Sequence, residues 1–145
     1  MAILVDTSVW SLAYRRDSPP DVPEVAALRH ALTGGDLVLT TGMIMLELLR
    51  GFVPDHSQDT IRSAFDAIEF IEPSRADYVD AAAIGNTCRR AGVQLGSVDC
   101  LIAQLAIVGG HTLLTTDQDF HVAARHVALR VWRPIGGAAS PPPEP

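Results

Sequence analysis

Lysine is missing from this chain: all eleven basic residues are arginines. Its absence removes Schiff-base chemistry, a P-loop with its phosphate-binding lysine, and any mechanism that sets a lysine beside an acidic pocket. Cysteine is scarce as well. Cys88 and Cys100 stand apart within helical patterns and read as reduced, buried small residues, so no disulfide framework is expected. No apolar run approaches a membrane span and no basic region precedes the first one, so neither an anchor nor a signal peptide is expected, and the expected location is the cytoplasm. The five histidines show no metal-ligand spacing, which argues against zinc. Neither a G-x-G-x-x-G after the first strand nor a Walker sequence is present, so dinucleotide and nucleotide-triphosphate sites lack support.

With 145 residues the chain is long enough for one domain with a real core and too short for two. The domain is expected over residues 1–134, followed by a disordered proline-rich tail at 135–145. A net charge of −6 argues against coating nucleic acid by bulk electrostatics, and it leaves room both for a local basic groove and for an acidic site that binds cations first.

Strands and helices alternate along the sequence. Residues 2–5 form an unbroken apolar strand, followed by a helix through Tyr14 and a loop at Arg15–Pro20. A second helix runs to Leu32 with Val25, Leu28 and Leu32 on one face, and stops at Gly34-Gly35. Leu37–Leu39 is the second strand. Thr40-Thr41 cap a helix over Met43–Leu49 that Gly51 and Pro54 end, and a more polar helix follows over Ser57–Ala67. Ile68–Ile71 is the third strand, and Ser74 with Asp77 forms a capping box for a helix reaching Ala91. Ser97 caps the next helix, whose apolar face is Val98, Leu101, Ile102, Leu105 and Val108. Thr112–Leu114 is the fourth strand, Asp117 starts a short helix, and Val127–Val131 alternates as an exposed edge strand should. Gly34–Thr41 and Gly109–Thr116 are nearly the same phrase, which reads as reused helix–turn–strand geometry. Helices between all strands imply a single α/β domain with a parallel, helix-flanked sheet.

Two acids then fall at strand ends. Asp6 follows the first strand and Asp117 the fourth, so both emerge at one edge of a parallel sheet. If those strands are neighbours, about 4.8 Å apart, two charges about 5 Å from each other repel by roughly 3 kcal/mol at an effective dielectric of about 20. A hard cation between them removes that repulsion. Each Asp taken alone reads first as a cap for its following helix. Glu47 is the only charge between Met43 and Leu49, and a carboxylate in so apolar a segment is costly unless a cation or strong donors meet it, with Arg50 the alternative partner. Asp99 lies in the first turn of its helix, where an acid also complements the dipole. Asp119 is either an outer metal ligand or a solvated acid at a helix start. Thr7, Ser8 and Thr116 read first as caps, and each is also placed to fix a carboxylate. A carboxylate-only set points to Mg²⁺, with Mn²⁺ as substitute.

Four segments taken together, Leu4–Val9, Leu46–Gly51 with Glu47, Asp99–Ala103 and Leu114–Phe120, resemble the PIN-domain family, and within it the VapC-type toxins of bacterial toxin–antitoxin pairs. The resemblance implies a five-stranded sheet ordered 3-2-1-4-5. It implies a Mg²⁺-dependent endoribonuclease with Asp6, Glu47, Asp99 and Asp117 as its acidic quartet, Asp119 at a further acid, and Thr116 as the hydroxyl residue before the last acid. It also implies a homodimer neutralised by a cognate VapB-type antitoxin. Arg15, Arg16, Arg50, Arg89 and Arg90 are candidate phosphate contacts. Receiver and haloacid-dehalogenase chemistry needs a lysine beside its aspartates, and this chain has none. A non-catalytic PIN-like module that binds RNA or protein is the remaining alternative.

Overall fold

The computed structural model describes residues 1–15, 21–51 and 55–135. Four parallel strands, β1 (Ala2–Val5), β2 (Leu37–Thr40), β3 (Glu69–Phe70) and β4 (Thr112–Leu114), form one sheet in the order β3-β2-β1-β4. Among the described residues seven helices connect and flank them: α1 (Thr7–Ala13), α2 (Pro23–Thr33), α3 (Gly42–Gly51), α4 (Asp55–Phe65), α5 (Arg75–Arg90), α6 (Ser97–Gly109) and α7 (Gln118–Ala123). The expected Pro54 stop, most of the Arg15–Pro20 loop including Arg16, and the tail from Gly136 onward lie outside the described residues. No helix among the described residues is long and apolar enough to cross a membrane.

β1 is the centre of the sheet, and its Ile3, Leu4 and Val5 are buried, as an all-apolar run between two neighbours requires. α6 packs beside α5 and buries seven successive residues, Cys100 to Ala106, so it is enclosed on every side rather than along one stripe. Two residues expected on apolar faces are instead exposed: Leu32 on α2, where Ala31 is buried in its place, and Val108 on α6. Both belong to the last turn of their helix. A four-residue strand spans about 13 Å and a thirteen-residue helix about 20 Å, so the last turn overhangs the sheet.

The turns follow the sequence more closely. Ser74 Oγ accepts the Asp77 N–H at 3.2 Å while Asp77 Oδ2 accepts the Ser74 N–H at 2.8 Å, completing the capping box. In the repeated phrase the second glycine of each pair, Gly35 and Gly110, takes a left-handed φ of 85° and 66°, so the two helix–turn–strand units do share a geometry. Two expected caps are corrected. α6 begins from Gly96 with Ser97 as its first residue, and no side chain caps it. At the start of α3 it is the Thr41 carbonyl that accepts the Ile44 N–H, while the Thr41 hydroxyl donates to Ile71 O and ties β2 to the chain after β3.

The fifth strand is also corrected: beyond β4 there is only an isolated parallel bridge between Leu113 and Val131. Leu114 O accepts the Asp6 N–H and so faces β1, which leaves Leu113 as the residue of β4 whose polar groups point outward. Its N–H donates to Arg130 O and its carbonyl accepts from Trp132 N–H, and a three-residue strand offers no second pair.

Candidate active site

Asp6 is the first residue past β1 and stands at the N-cap position of α1. It is buried, 6% exposed, and its Oδ2 accepts two hydroxyl bonds, from Ser8 Oγ at 2.8 Å and Thr115 Oγ1 at 2.9 Å. Burial pushes its carboxyl above the ordinary range, and the Ser8 and Thr115 hydroxyls pull it partly back. Both hydroxyls also accept from the β4–α7 turn: Ser8 Oγ from Thr116 N–H at 3.1 Å, across from the β1–α1 turn, and Thr115 Oγ1 from Asp117 N–H at 3.0 Å within its own turn. Ser8 therefore does not cap α1. It joins the β1–α1 turn to the β4–α7 turn.

Thr115 was not anticipated; the sequence pointed to its neighbour Thr116, which contributes its backbone N–H. The register held the signal. With Val5 paired to Leu114, the next pair along the two strands is Asp6 with Thr115, on one face of the sheet.

Asp117 takes its expected capping role: its Oδ1 accepts the Asp119 N–H at 2.9 Å, and its backbone N–H is held by Thr115, the residue that also bonds Asp6. Glu47 reaches the same place from α3, where its Oε1 accepts the Thr7 hydroxyl at 3.1 Å. The reason first given for Glu47 is corrected: its side chain and that of Leu46 are exposed, so no burial cost attaches to its charge. Among the described residues Arg50 forms no ion pair with it.

Asp99, in the first turn of α6, draws the acids together. Its carboxyl is pushed up to about 6, first by burial and then by the negative charges of Asp6, Asp117, Glu47 and Asp119 in that order. All five acids singled out from the sequence therefore lie in one field, arriving from the end of β1, α3, α6, the β4–α7 turn and the first turn of α7. Among the described residues no three acidic, histidine or cysteine side chains stand at chelating distance of one point.

The carboxylates fit a hard divalent cation on two counts. The donor set is oxygen only, and the Asp99 carboxyl is raised first by burial and then by the neighbouring negative charges, both of which a cation offsets. Of the candidate phosphate contacts, Arg15, Arg50, Arg89 and Arg90 are exposed, and Arg89 lines a cavity beside α6.

The chain and its fold have counterparts among known proteins. The sequence matches the family described as PIN domain over residues 3–126. It is 33% identical to ribonuclease VapC11 of Mycobacterium tuberculosis over 130 residues, which are 88% of this chain and 96% of that protein. Among solved structures it resembles VapBC2 of Rickettsia felis bound to promoter DNA (TM-score 0.72, 20% identity, 91% of this chain and 98% of that one). It also resembles M. tuberculosis VapC20, a toxin that cleaves the sarcin–ricin loop (TM-score 0.64, 18% identity, 88% of this chain and 98% of that one). The chain belongs to the PIN-domain family, in its VapC group.

Proposed function

We propose that the chain is a Mg²⁺-dependent endoribonuclease toxin, active in the cytoplasm and neutralised by a VapB-type antitoxin. The observation that carries this reading is the convergence of Asp6, Glu47, Asp117 and Asp119 on the half-buried Asp99. The name ribonuclease on a relative covering nearly the whole chain supports the RNA substrate, and the VapBC complexes among the structural neighbours support the antitoxin. A second copy of the chain is the further proposed partner. Exposed Leu46 and Val79 are apolar side chains available for protein contacts.

Asp6, Asp99 and Asp117 would hold the ion, with Asp119 outermost. A hard divalent cation there supplies neutralisation of the scissile phosphate and a more acidic water. The protein does the rest. Ser8 and Thr115 fix Asp6 to the β4 side of the site, and the cap on α7 fixes Asp117. Glu47, exposed and oriented by Thr7, is placed to accept a proton from the attacking water. Without a cation the five acids repel an anionic strand.

Purified protein incubated with structured RNA should cleave in Mg²⁺ and stop in excess EDTA. Binding without cleavage in Mg²⁺ would instead favour the non-catalytic module. Thr115 provides a finer check. Thr115→Val removes one of the two donors to Asp6 Oδ2 and is expected to weaken Mn²⁺ affinity about 10–100-fold, the usual cost of losing a group that orients a metal ligand. Thr115→Ser should restore it. Mn²⁺ titration of both variants decides the matter, and equal affinities for Val and Ser would remove Thr115 from the site.

A further inference from the structure

A cavity of about 510 Å³ opens between α5 and α6, and none of the five acids lines it. It nevertheless borders them directly. Ser97, Val98 and Cys100, which bracket Asp99 on α6, form one wall, and Met43, one helical turn before Glu47 on α3, forms part of another.

Its lining has two parts. The floor is apolar and buried, with Ala81, Cys100 and Leu101, and Gly85 leaves it open by presenting no side chain. The rim carries Tyr78, 58% exposed, with Asn86 and Arg89 on the same side of α5. Among the described residues neither Asn86 nor Arg89 makes a side-chain hydrogen bond or ion pair, whereas Arg90 next to them bonds Thr87. Arg89 is the only charged residue in the lining.

We infer that this cavity is a nucleobase subsite, receiving the base of a nucleotide next to the scissile phosphate, and the inference rests on the nuclease reading of the adjoining acids. An exposed Tyr ring offers a stacking face that any base can use. The Asn86 amide carries one donor and one acceptor edge, which matches adenine bidentately. Arg89, on the α5 side of the lining, supplies the positive charge that a flanking phosphate needs. The volume lies within the range of small-ligand pockets, about 300–1,000 Å³, and so suits a single nucleoside. RNA threaded this way places a phosphate over Asp99 and the neighbouring base against α5. Sequence preference then arises beside the site that cuts.

The test is metal-free. The four nucleoside 3′-monophosphates are titrated into the protein in EDTA and followed by backbone-amide NMR. Shifts should cluster at Tyr78, Asn86, Arg89 and Ser97 and be strongest for the adenine nucleotide. Tyr78→Ala and Asn86→Ala should each weaken that binding about tenfold. Shifts that are absent or lie elsewhere overturn the subsite. So does a Tyr78→Ala protein that falls from dimer to monomer in sedimentation with nucleotide affinity unchanged, because a second copy then covers the cavity. Since no cleavage is measured, a failed subsite and a failed nuclease assignment give different results.

Discussion

Asp6→Asn is expected to lower RNA cleavage in Mg²⁺ by at least about a thousandfold while the protein stays folded. The size follows from the role. Loss of a ligand that holds the charge-neutralising ion removes several kcal/mol of transition-state stabilisation, and about 4 kcal/mol is three decades in rate. Retention of the fold follows from the geometry. Ser8 and Thr115 both donate to the same oxygen, Oδ2. An asparagine can place its amide oxygen there and keep both bonds, with an uncharged NH₂ in place of the other oxygen. Because burial disfavours the Asp6 charge, the substitution also removes a cost. Asp6→Ala is the wrong variant for this purpose, since it strands two hydroxyls. The assay is initial cleavage rate beside circular dichroism, and a folded Asp6→Asn protein cutting at the wild-type rate would remove Asp6 from the chemistry.

Asp99→Asn should abolish activity and yet stabilise the metal-free protein. The Asp99 carboxyl rises from 3.8 to about 6 on folding. Between those values the native state binds more protons than the unfolded chain, so stability falls as pH rises. The contribution is fully present below about 3.8 and is lost as pH rises through about 6. The raw shift corresponds to about 3 kcal/mol at 1.36 kcal/mol per unit, and for a half-exposed group solvent screening reduces it to about 1–2 kcal/mol. A charge in the first turn of α6 returns about 0.3–1 kcal/mol through the helix dipole, which is the smaller effect. In EDTA the melting temperature of Asp99→Asn should therefore exceed that of wild type by a few degrees at pH 7.5 and match it at pH 4. Mn²⁺ should narrow or reverse the difference, because only the wild type gains the ion. A variant less stable than wild type at pH 7.5 in EDTA would contradict the crowding of negative charge at Asp99.

The stretches most legible in the sequence were those in which one local signal had one reading. Ile3–Val5 could only be a strand buried on both faces, and Ser74 with Asp77 could only be a capping box. The acids were legible as a set because a parallel sheet brings every strand end to one edge. What a one-dimensional pattern could not carry was register and enclosure. Thr115 and Thr116 look alike until Val5 is paired with Leu114, after which Thr115 alone lies beside Asp6. Glu47 was singled out for a reason that does not hold, since the apolar residues around it do not all point inward and Leu46 is 55% exposed. The alternation at Val127–Val131 is real, but a strand needs partners, and β4 offers it the single residue Leu113.

The central claim is that these acids form one cation site, and Mn²⁺ titration by electron paramagnetic resonance tests it most directly. Wild type, Asp6→Asn, Asp99→Asn and the exposed α5 variant Asp80→Asn are compared at equal ionic strength. Wild type and Asp80→Asn should bind Mn²⁺ alike, and Asp6→Asn and Asp99→Asn should each bind at least about a hundredfold more weakly. Undiminished binding by Asp6→Asn, or an equal loss in Asp80→Asn, would contradict it.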